Sequence, residues 1–179
     1  MDYHLFEKLF TEEECHKILN DIHPESFKSS TVYNKKTHSC TINLKHRNSE
    51  VAEMRDEELS KTLMSKLCSK SKLIDKSFRI PRDFRIIRYQ KGGFFGLHRD
   101  MVIRKKGYIG RYNIIIYLSD NYKGGETTFI DEKTGLQHPI KGKTGDVLMF
   151  DPTILHRGSS VESGIKNILI VQIYQNNTS

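Results

Sequence analysis

The sequence of 179 residues lacks any apolar run close to the ~18 residues that a membrane span requires. Its first residues, Met1–His4, include an acidic side chain and no basic segment, and no apolar stretch follows, so a signal peptide is not expected. The three cysteines, Cys15, Cys40 and Cys68, form no Cys-x-x-Cys pair, which argues against a disulfide framework and a zinc ribbon. These absences predict no membrane partner, reduced thiols and a cytoplasmic location, and they fit the nucleus as well.

Acidic residues are in the minority, since 22 Asp and Glu stand against 29 Lys and Arg, a net charge of +7. The excess is uneven, because residues 61–91 include ten basic side chains and only two acidic ones. A basic segment can bind nucleic acid, but no RNP, helix-turn-helix or zinc-finger pattern accompanies this one. A solvated helix face is therefore the favoured interpretation, and nucleic acid is the less favoured partner.

The first part of the chain favours helices. A capping box at Thr11–Glu14 opens a run of apolar residues at helical spacing that reaches Ile22, and Pro24 ends it. A second helix is predicted from Ser49-Glu50 to about Lys70. Its apolar stripe consists of Val51, Met54, Leu59, Leu63 and Leu67.

The second part of the chain changes to short β-like runs separated by glycine, aspartate and proline. The runs are Phe84–Tyr89, Tyr112–Leu118, Glu126–Ile130, Asp146–Phe150, Thr153–Arg157 and Lys166–Tyr174. For the polar region 29–47, the sequence allows two alternatives, an edge strand at Ser39–Leu44 or a mobile loop. Many short strands at this spacing predict a sandwich or jelly roll. We expect a single mainly β domain, 1–179, with a helical support region over about 1–80 and a jelly-roll core over about 81–179.

Two histidines and one carboxylate have the sequence context of a metal site. His98 and Asp100 are two residues apart, so in an extended chain their side chains point to the same side. His156 follows a strand-like run and a turn, and a β-sandwich can bring it beside the other two. Two imidazoles and one carboxylate on one face of an octahedron form the facial triad of non-haem Fe(II) oxygenases, which leaves positions open for a cosubstrate and O2.

Lys166 begins an otherwise apolar run that is typical of a central strand. By the alternation of a strand, it shares one face with Ile168, Ile170, Gln172 and Tyr174. Taken alone, the lysine would be interpreted as an exposed residue at a strand end. Together with the three candidate ligands, it is better explained as a buried cation that pairs with a dicarboxylate.

An HxD motif, a distal histidine and a lysine ten residues later resemble the 2-oxoglutarate/Fe(II)-dependent dioxygenases, and most closely their prolyl 4-hydroxylase-like branch. The resemblance covers about residues 84–174 with the spacing intact. The segments that carry it read RYQKGGFFGLHRD (88–100), YLSDNYKGGET (117–127), GDVLMF (145–150) and HRGSSVESGIK (156–166).

The resemblance implies a double-stranded β-helix, which is a distorted jelly roll, with Fe(II) held by His98, Asp100 and His156. It implies 2-oxoglutarate as cosubstrate, with Lys166 on its distal carboxylate, O2 as co-reactant and ascorbate as an additional reductant. Further side chains in the matching segments are expected to line the cosubstrate pocket: Tyr89, Tyr117 and Thr127.

The implied reaction is hydroxylation of an aliphatic C–H in a protein or peptide, with a prolyl residue as the expected target and release of succinate and CO2. Arg111 and Asn113 share a strand face whose polar groups suit a pocket wall, and they are the expected substrate contacts. The chain departs from the branch on the substrate side. Gln172 lies near the position of a common tryptophan, and Phe95 stands where tyrosine is common, which puts proline as the target in question.

Two alternative functions stay open. One is a nucleic-acid demethylase on the same metal core, although the DNA-dealkylation branch uses arginines after the distal histidine, where this chain has Lys166. The other is a jelly-roll binding module that has lost catalysis.

Overall fold

The computed structural model describes residues 2–34 and 37–176. This part of the chain contains two α-helices, one short 3-10 helix and 18 β-strands. No helix within it is long and apolar enough to cross a membrane.

The strands before residue 60 are β1 (Tyr3–Phe6), β2 (Lys28–Ser29), β3 (Val32–Asn34), β4 (Ser39–Thr41), β5 (Arg47–Asn48) and β6 (Glu50–Arg55). The strands that follow are β7 (Phe78–Arg79), β8 (Asp83–Tyr89), β9 (Phe94–His98), β10 (Arg104–Lys105), β11 (Tyr108–Tyr117), β12 (Tyr122–Gly124), β13 (Thr127–Ile130), β14 (Gln137–Ile140), β15 (Val147–Phe150), β16 (His156–Gly158), β17 (Val161–Gly164) and β18 (Lys166–Asn176).

Two antiparallel sheets form the predicted jelly roll. The larger has the order β1-β15-β11-β18-β8-β6-β2, with β10 beside β11 and β7 beside β18. The smaller has the order β14-β13-β16-β9-β5, and β3–β4 and β12–β17 form two separate pairs. The region expected to be a helical support thus supplies strands to both sheets. Strands of two to six residues carry too little periodic signal to be recognised before their partners are known.

The six β-like runs predicted from the sequence each coincide with a strand, and the run with the least overlap is Thr153–Arg157. The run Thr153–Arg157 begins as a turn, because the Asp151 carboxylate accepts hydrogen bonds from the N–H and the hydroxyl of Thr153 at 2.8 and 2.6 Å. The strand β16 therefore starts only at His156. For Ser39–Leu44 the sequence leaves a strand and a loop as alternatives. The structure shows a strand, β4, over the first three of these residues.

Helix α1 (Glu12–Asn20) begins with the predicted capping box. The Thr11 hydroxyl accepts from the Glu14 N–H at 3.1 Å, and the Glu14 carboxylate accepts from the Thr11 N–H at 2.8 Å. The helix ends before Ile22, and Pro24 opens the short 3-10 helix Pro24–Ser26.

Helix α2 (Glu57–Lys70) starts later than predicted, so the expected start at Ser49-Glu50 is wrong. Asp56 is the N-cap, and its Oδ1 accepts from the Leu59 N–H at 2.9 Å. The preceding residues form β6, which pairs with β8 along its whole length. The apolar spacing of this short segment fits a helix and a strand alike, and the pairing with β8 decides between them.

The apolar core has two parts, which meet at the larger sheet. The helices bury Cys15, Leu63 and Leu67 against one face of that sheet, where β18 contributes Leu169 and Val171 among others. The other face packs on the smaller sheet. Here Ile168 of β18 packs in one cluster with Phe129 of β13 and Leu148 of β15, among others. Since side chains alternate along a strand, Lys166 lies on the face of Ile168, between the two sheets, as predicted.

Candidate active site

The three candidate metal ligands meet where β9 and β16 pair. His98 ends β9 and lies directly opposite His156, which begins β16. Asp100 follows two residues later, held by its N–H, which donates to the Pro152 carbonyl at 2.9 Å. Its Oδ1 is 3.4 Å from His98 Nε2 and its Oδ2 is 3.5 Å from His156 Nε2. The ligand atoms of all three side chains lie within 4.8 Å of one another.

Backbone carbonyls determine that the Nδ1 atom of each imidazole carries a proton. Nδ1 of His98 is 2.8 Å from the Gly96 carbonyl, and Nδ1 of His156 is 2.8 Å from the Ile154 carbonyl. Because a carbonyl only accepts, each Nδ1 carries a proton, and in the neutral imidazole the Nε2 lone pair is left to face Asp100. Burial lowers the pKa of His156, although Asp100 acts in the opposite direction. The neutral imidazole, which is the form that binds a metal, is favoured.

The carboxyl of Asp100 is held ionised. Burial acts to raise its pKa, but the positive charge that His98 and His156 carry when protonated and a hydrogen bond from Asn113 Nδ2 to Oδ2 outweigh it, so the pKa lies below its ordinary value. With both imidazoles in the neutral form, the cluster offers two nitrogen donors and one anionic oxygen. Imidazole and carboxylate donors in this ratio are those of the facial triad, so the residues fit Fe(II).

Among the described residues, Lys166 is a buried cation without an ion-pair partner. Its side chain is 3% exposed, and its Nζ donates to the Gly125 carbonyl at 2.7 Å. The rings of Tyr89 and Tyr117 lie 5.5 and 5.7 Å away. Burial lowers the pKa of Lys166 to about 8, with Glu126 acting weakly against it. No carboxylate within the described ranges forms an ion pair with this ammonium, so the residue fits one carboxylate of 2-oxoglutarate.

Of the further residues expected in the cosubstrate pocket, Tyr89 and Tyr117 lie close to this lysine, and Thr127 is in contact with Tyr117. Tyr117 is fully buried and its hydroxyl donates to Thr127 Oγ1 at 3.1 Å. Burial raises the pKa of both tyrosines, so both are neutral hydrogen-bonding groups.

One cavity of about 840 Å³ joins the metal ligands to Lys166. Its walls include five of the predicted cofactor-site residues besides the lysine: His98, Asp100, His156, Tyr89 and Thr127. Tyr117 is not among the described residues that line the cavity and reaches it only through its hydrogen bond to Thr127. The structure thus gathers all the predicted metal and cosubstrate residues except Tyr117 around one space, and Tyr117 contacts Thr127 from behind the wall.

The two expected substrate contacts are separated by the structure. Asn113 lines the cavity, where its amide is held by Asp100 and Gln172. Arg111 is absent from the described cavity walls, because its Nη1 lies 3.5 Å from Asp151 Oδ2 and its guanidinium stacks on Tyr112 at 5.1 Å. Of the pair, only Asn113 is in reach of a molecule in the cavity.

Sequence reasoning missed one residue of this site, Arg47. Its guanidinium is buried in the cavity wall, 4.4 Å from the ring centre of Phe95, and that ring stacks on His98 at 3.6 Å and 18°. Its Nε also donates to Ser49 Oγ at 2.8 Å. Arg47 stands at the end of a polar region, and its place opposite Phe95 becomes visible only when β5 pairs with β9.

Sequence relatives match part of the chain. A protein of fowlpox virus (strain NVSL) described as uncharacterized is 35% identical over 89 residues, which are 49% of this chain and 20% of that relative. A PKHD-type hydroxylase of Hyphomonas neptunium is 34% identical over 86 residues, which are 44% of this chain and 37% of that relative. The chain therefore spans well under half of the length of these relatives.

Solved structures share the fold over nearly the whole chain. The viral collagen prolyl hydroxylase vCPH of Paramecium Bursaria Chlorella virus-1, in its 2OG complex, has a TM-score of 0.65 at 22% identity, covering 97% of this chain and 96% of that one. A prolyl hydroxylase of Trichoplax adhaerens, in complex with a hypoxia inducible factor peptide fragment, has a TM-score of 0.70 at 14% identity, covering 98% and 83%.

The family model described as the 2OG-Fe(II) oxygenase superfamily matches residues 84–174, about half of the chain. This range begins in β8 and ends in β18, so it includes both strands that carry the histidines and the lysine at the start of the last strand. The chain belongs to the 2OG-Fe(II) oxygenase superfamily.

Proposed function

We propose that the chain is an Fe(II)- and 2-oxoglutarate-dependent hydroxylase that oxidises an aliphatic C–H in a peptide or protein, with a prolyl residue as the expected target. One observation carries the proposal: a His-Asp-His cluster lines the same cavity as a buried ammonium that pairs with no carboxylate of residues 2–34 and 37–176. The solved neighbours that are prolyl hydroxylases, one of them with a bound peptide, support this class of substrate.

In the proposed site, His98, Asp100 and His156 hold the metal, and Lys166 holds the distal carboxylate of 2-oxoglutarate. Bound Fe(II) would supply the activation of O2, with the overall balance that 2-oxoglutarate, O2 and a C–H give succinate, CO2 and a C–OH. The two Nδ1–H groups keep the imidazoles oriented through their backbone carbonyls. The ring of Phe95 stacks on the His98 imidazole and covers one of its faces.

The proposal is tested with the purified chain, Fe(II), 2-oxoglutarate and ascorbate, and a set of peptides that contain proline. Succinate formation and a mass increase of one oxygen atom on a peptide are the expected results. His98→Ala and Asp100→Ala should abolish both, because each removes one of three ligands. His138→Ala is the matched control, since His138 lies on β14 of the same sheet and outside the cluster.

Retained 2-oxoglutarate turnover in the His98 variant would overturn the ligand assignment. Tight metal binding by the wild-type chain without succinate from any peptide would instead favour a binding module that has lost catalysis. Methylated single-stranded oligonucleotides in the same assay test the demethylase alternative, and binding through phosphate contacts would weaken steeply with salt.

The basic segment 61–91 gives that alternative little support, because several of its charges are already engaged. Lys61 pairs with Glu58 at 2.8 Å, and Lys66 pairs with Glu14 at 3.1 Å. The guanidinium of Arg88 stacks on Phe27 at 3.6 Å. These contacts agree with the interpretation of a solvated and partly ion-paired face.

A further inference from the structure

The side chain of Gln172 binds the chain segment that follows the HxD motif. Its Oε1 accepts from the Ile103 N–H at 2.8 Å, and its Nε2 donates to the Met101 carbonyl at 2.9 Å. The same Nε2 donates to Asn113 Oδ1 at 2.8 Å. Both N–H bonds of the amide and its oxygen are thus used, so the amide has one favourable orientation.

That orientation determines how Asn113 faces the metal site. Asn113 on β11 is the direct partner of Gln172 on β18. Because Gln172 supplies a donor, Asn113 must present its oxygen to it and turn its Nδ2 toward Asp100, where it donates to Oδ2. A flipped Asn113 amide would place two N–H donors against each other and an oxygen against a carboxylate.

We propose that Gln172 is a positioning residue for the metal-binding carboxylate of Asp100, acting through Asn113. The proposal rests on the metal site proposed above. With Oδ2 held by Asn113, the carboxylate is kept in one rotamer, and the segment Met101–Ile103 is fixed by the same glutamine. The orientation of the ligand and the position of this segment are therefore coupled through one amide.

The Gln172 amide is closely packed, which restricts where it can lie. Gly110 faces it, and a Cβ at position 110 would fall 1.8 Å from Oε1 and 2.5 Å from Cδ of Gln172. Glycine is thus the residue that leaves room for the amide. Gly110→Ala should displace the glutamine without removing any of its hydrogen-bonding groups.

The test measures Mn(II) affinity of the chain without 2-oxoglutarate or turnover, by calorimetry or electron paramagnetic resonance. Gln172→Leu and Gln172→Glu should each weaken Mn(II) binding about 10- to 100-fold, as is typical of groups that orient metal ligands. The glutamate variant keeps the acceptor for Ile103 but loses the donors. Asn113→Ala should weaken binding similarly, and adding Gln172→Leu to it should cause little further loss, because both act through one contact.

Gln175→Leu is the matched control, since Gln175 lies on the same strand and its amide reaches Ser77 outside the cavity. Its Mn(II) affinity should equal that of the wild type. Hydrogen exchange of the metal-free chain gives a second readout. The Ile103 N–H should exchange faster than in the wild type in Gln172→Leu and in Gly110→Ala. In Asn113→Ala it should exchange at the wild-type rate.

Two outcomes separate the failure of this inference from the failure of the proposed function. If the wild type binds Mn(II) and Asp100→Ala does not, but Gln172→Leu binds as tightly as the wild type, the positioning role is overturned alone. If Asp100→Ala binds Mn(II) as tightly as the wild type, or the wild type binds none, the metal site falls and the inference with it.

Discussion

The buried ammonium of Lys166 should make the ligand-free protein less stable than it would be without the charge. Burial lowers the pKa of Lys166 from 10.5 to about 8, which corresponds to about 3 kcal/mol against the charged form. Replacing the lysine by methionine removes this cost and keeps an unbranched side chain of similar length. The Gly125 carbonyl loses its donor, which costs about 1 kcal/mol.

Lys166→Met should therefore raise the free energy of unfolding by about 2 kcal/mol at pH 7, in the absence of 2-oxoglutarate. For a domain of this size that is a rise in Tm of roughly 4–8 °C. The same variant should weaken 2-oxoglutarate binding by about 2–5 kcal/mol, because one carboxylate would be buried without a partner. Stability and cosubstrate binding are expected to change in opposite directions.

The contribution of Lys166 to the free energy of unfolding should change with pH in one direction. Below pH 8 the lysine is charged in both the folded and the unfolded chain, so the full cost is present at pH 7. Between pH 8 and 10.5 the folded chain binds fewer protons than the unfolded chain at this site, so this contribution to stability rises with pH. The advantage of Lys166→Met should shrink over the same interval. Wild-type 2-oxoglutarate affinity should fall above pH 8, since the ligand-free lysine is then deprotonated.

Thermal unfolding from pH 7 to 10 and calorimetric titration of 2-oxoglutarate into the Mn(II)-loaded chain measure these effects. Lys123→Met, at an exposed lysine of β12, is the control and should leave both quantities unchanged. A Lys166→Met protein that is less stable than the wild type at pH 7 and binds 2-oxoglutarate with unchanged affinity would refute the reasoning.

Three further outcomes follow from single features of the structure. Asp100→Asn should lower Mn(II) affinity at least tenfold, measured by calorimetry, because it removes the one anionic ligand; equal affinity would contradict the assignment. Gly142→Ala should lower the free energy of unfolding by about 1–3 kcal/mol in urea titrations, since a Cβ there would lie 2.2 Å from the fully buried ring of Tyr117. Cys15 should react with a thiol reagent only after unfolding, because burial raises its pKa to about 11, whereas the other two cysteines should react in the native chain.

The part of the site that the sequence predicts is the part that local rules and motif spacing determine. Two residues of an extended segment share a side, which places Asp100 beside His98. The same alternation along β18 puts Lys166 on the face between the sheets, and the structure places it there. That His156 meets the pair follows from the matching motif spacing and not from any local rule, because it depends on the pairing of β9 with β16.

The sequence predicts less well where a short segment takes its conformation from its partner. The residues of β6 carry apolar positions that fit a helix, yet hydrogen bonds to β8 make them a strand. Arg111 shares the strand face of Asn113 by simple alternation, but the pairing of β11 with β18 shifts its register between Gly110 and Tyr112. The alternation is interrupted there, and the Arg111 guanidinium lies beside Asp151, outside the cavity walls.

The family match does not include all the residues that line the cavity. The match begins at residue 84, but Arg47 on β5 lies in the wall and packs on Phe95, the ring that stacks on His98. Phe95 replaces a common tyrosine of the resembling branch, so the hydroxyl that a tyrosine would offer is absent beside this guanidinium. The metal ligands and Lys166 keep the spacing of the branch that the sequence resembles, whereas the two expected departures from it, Phe95 and Gln172, lie on the β5–β9 side of the cavity and beside Asn113.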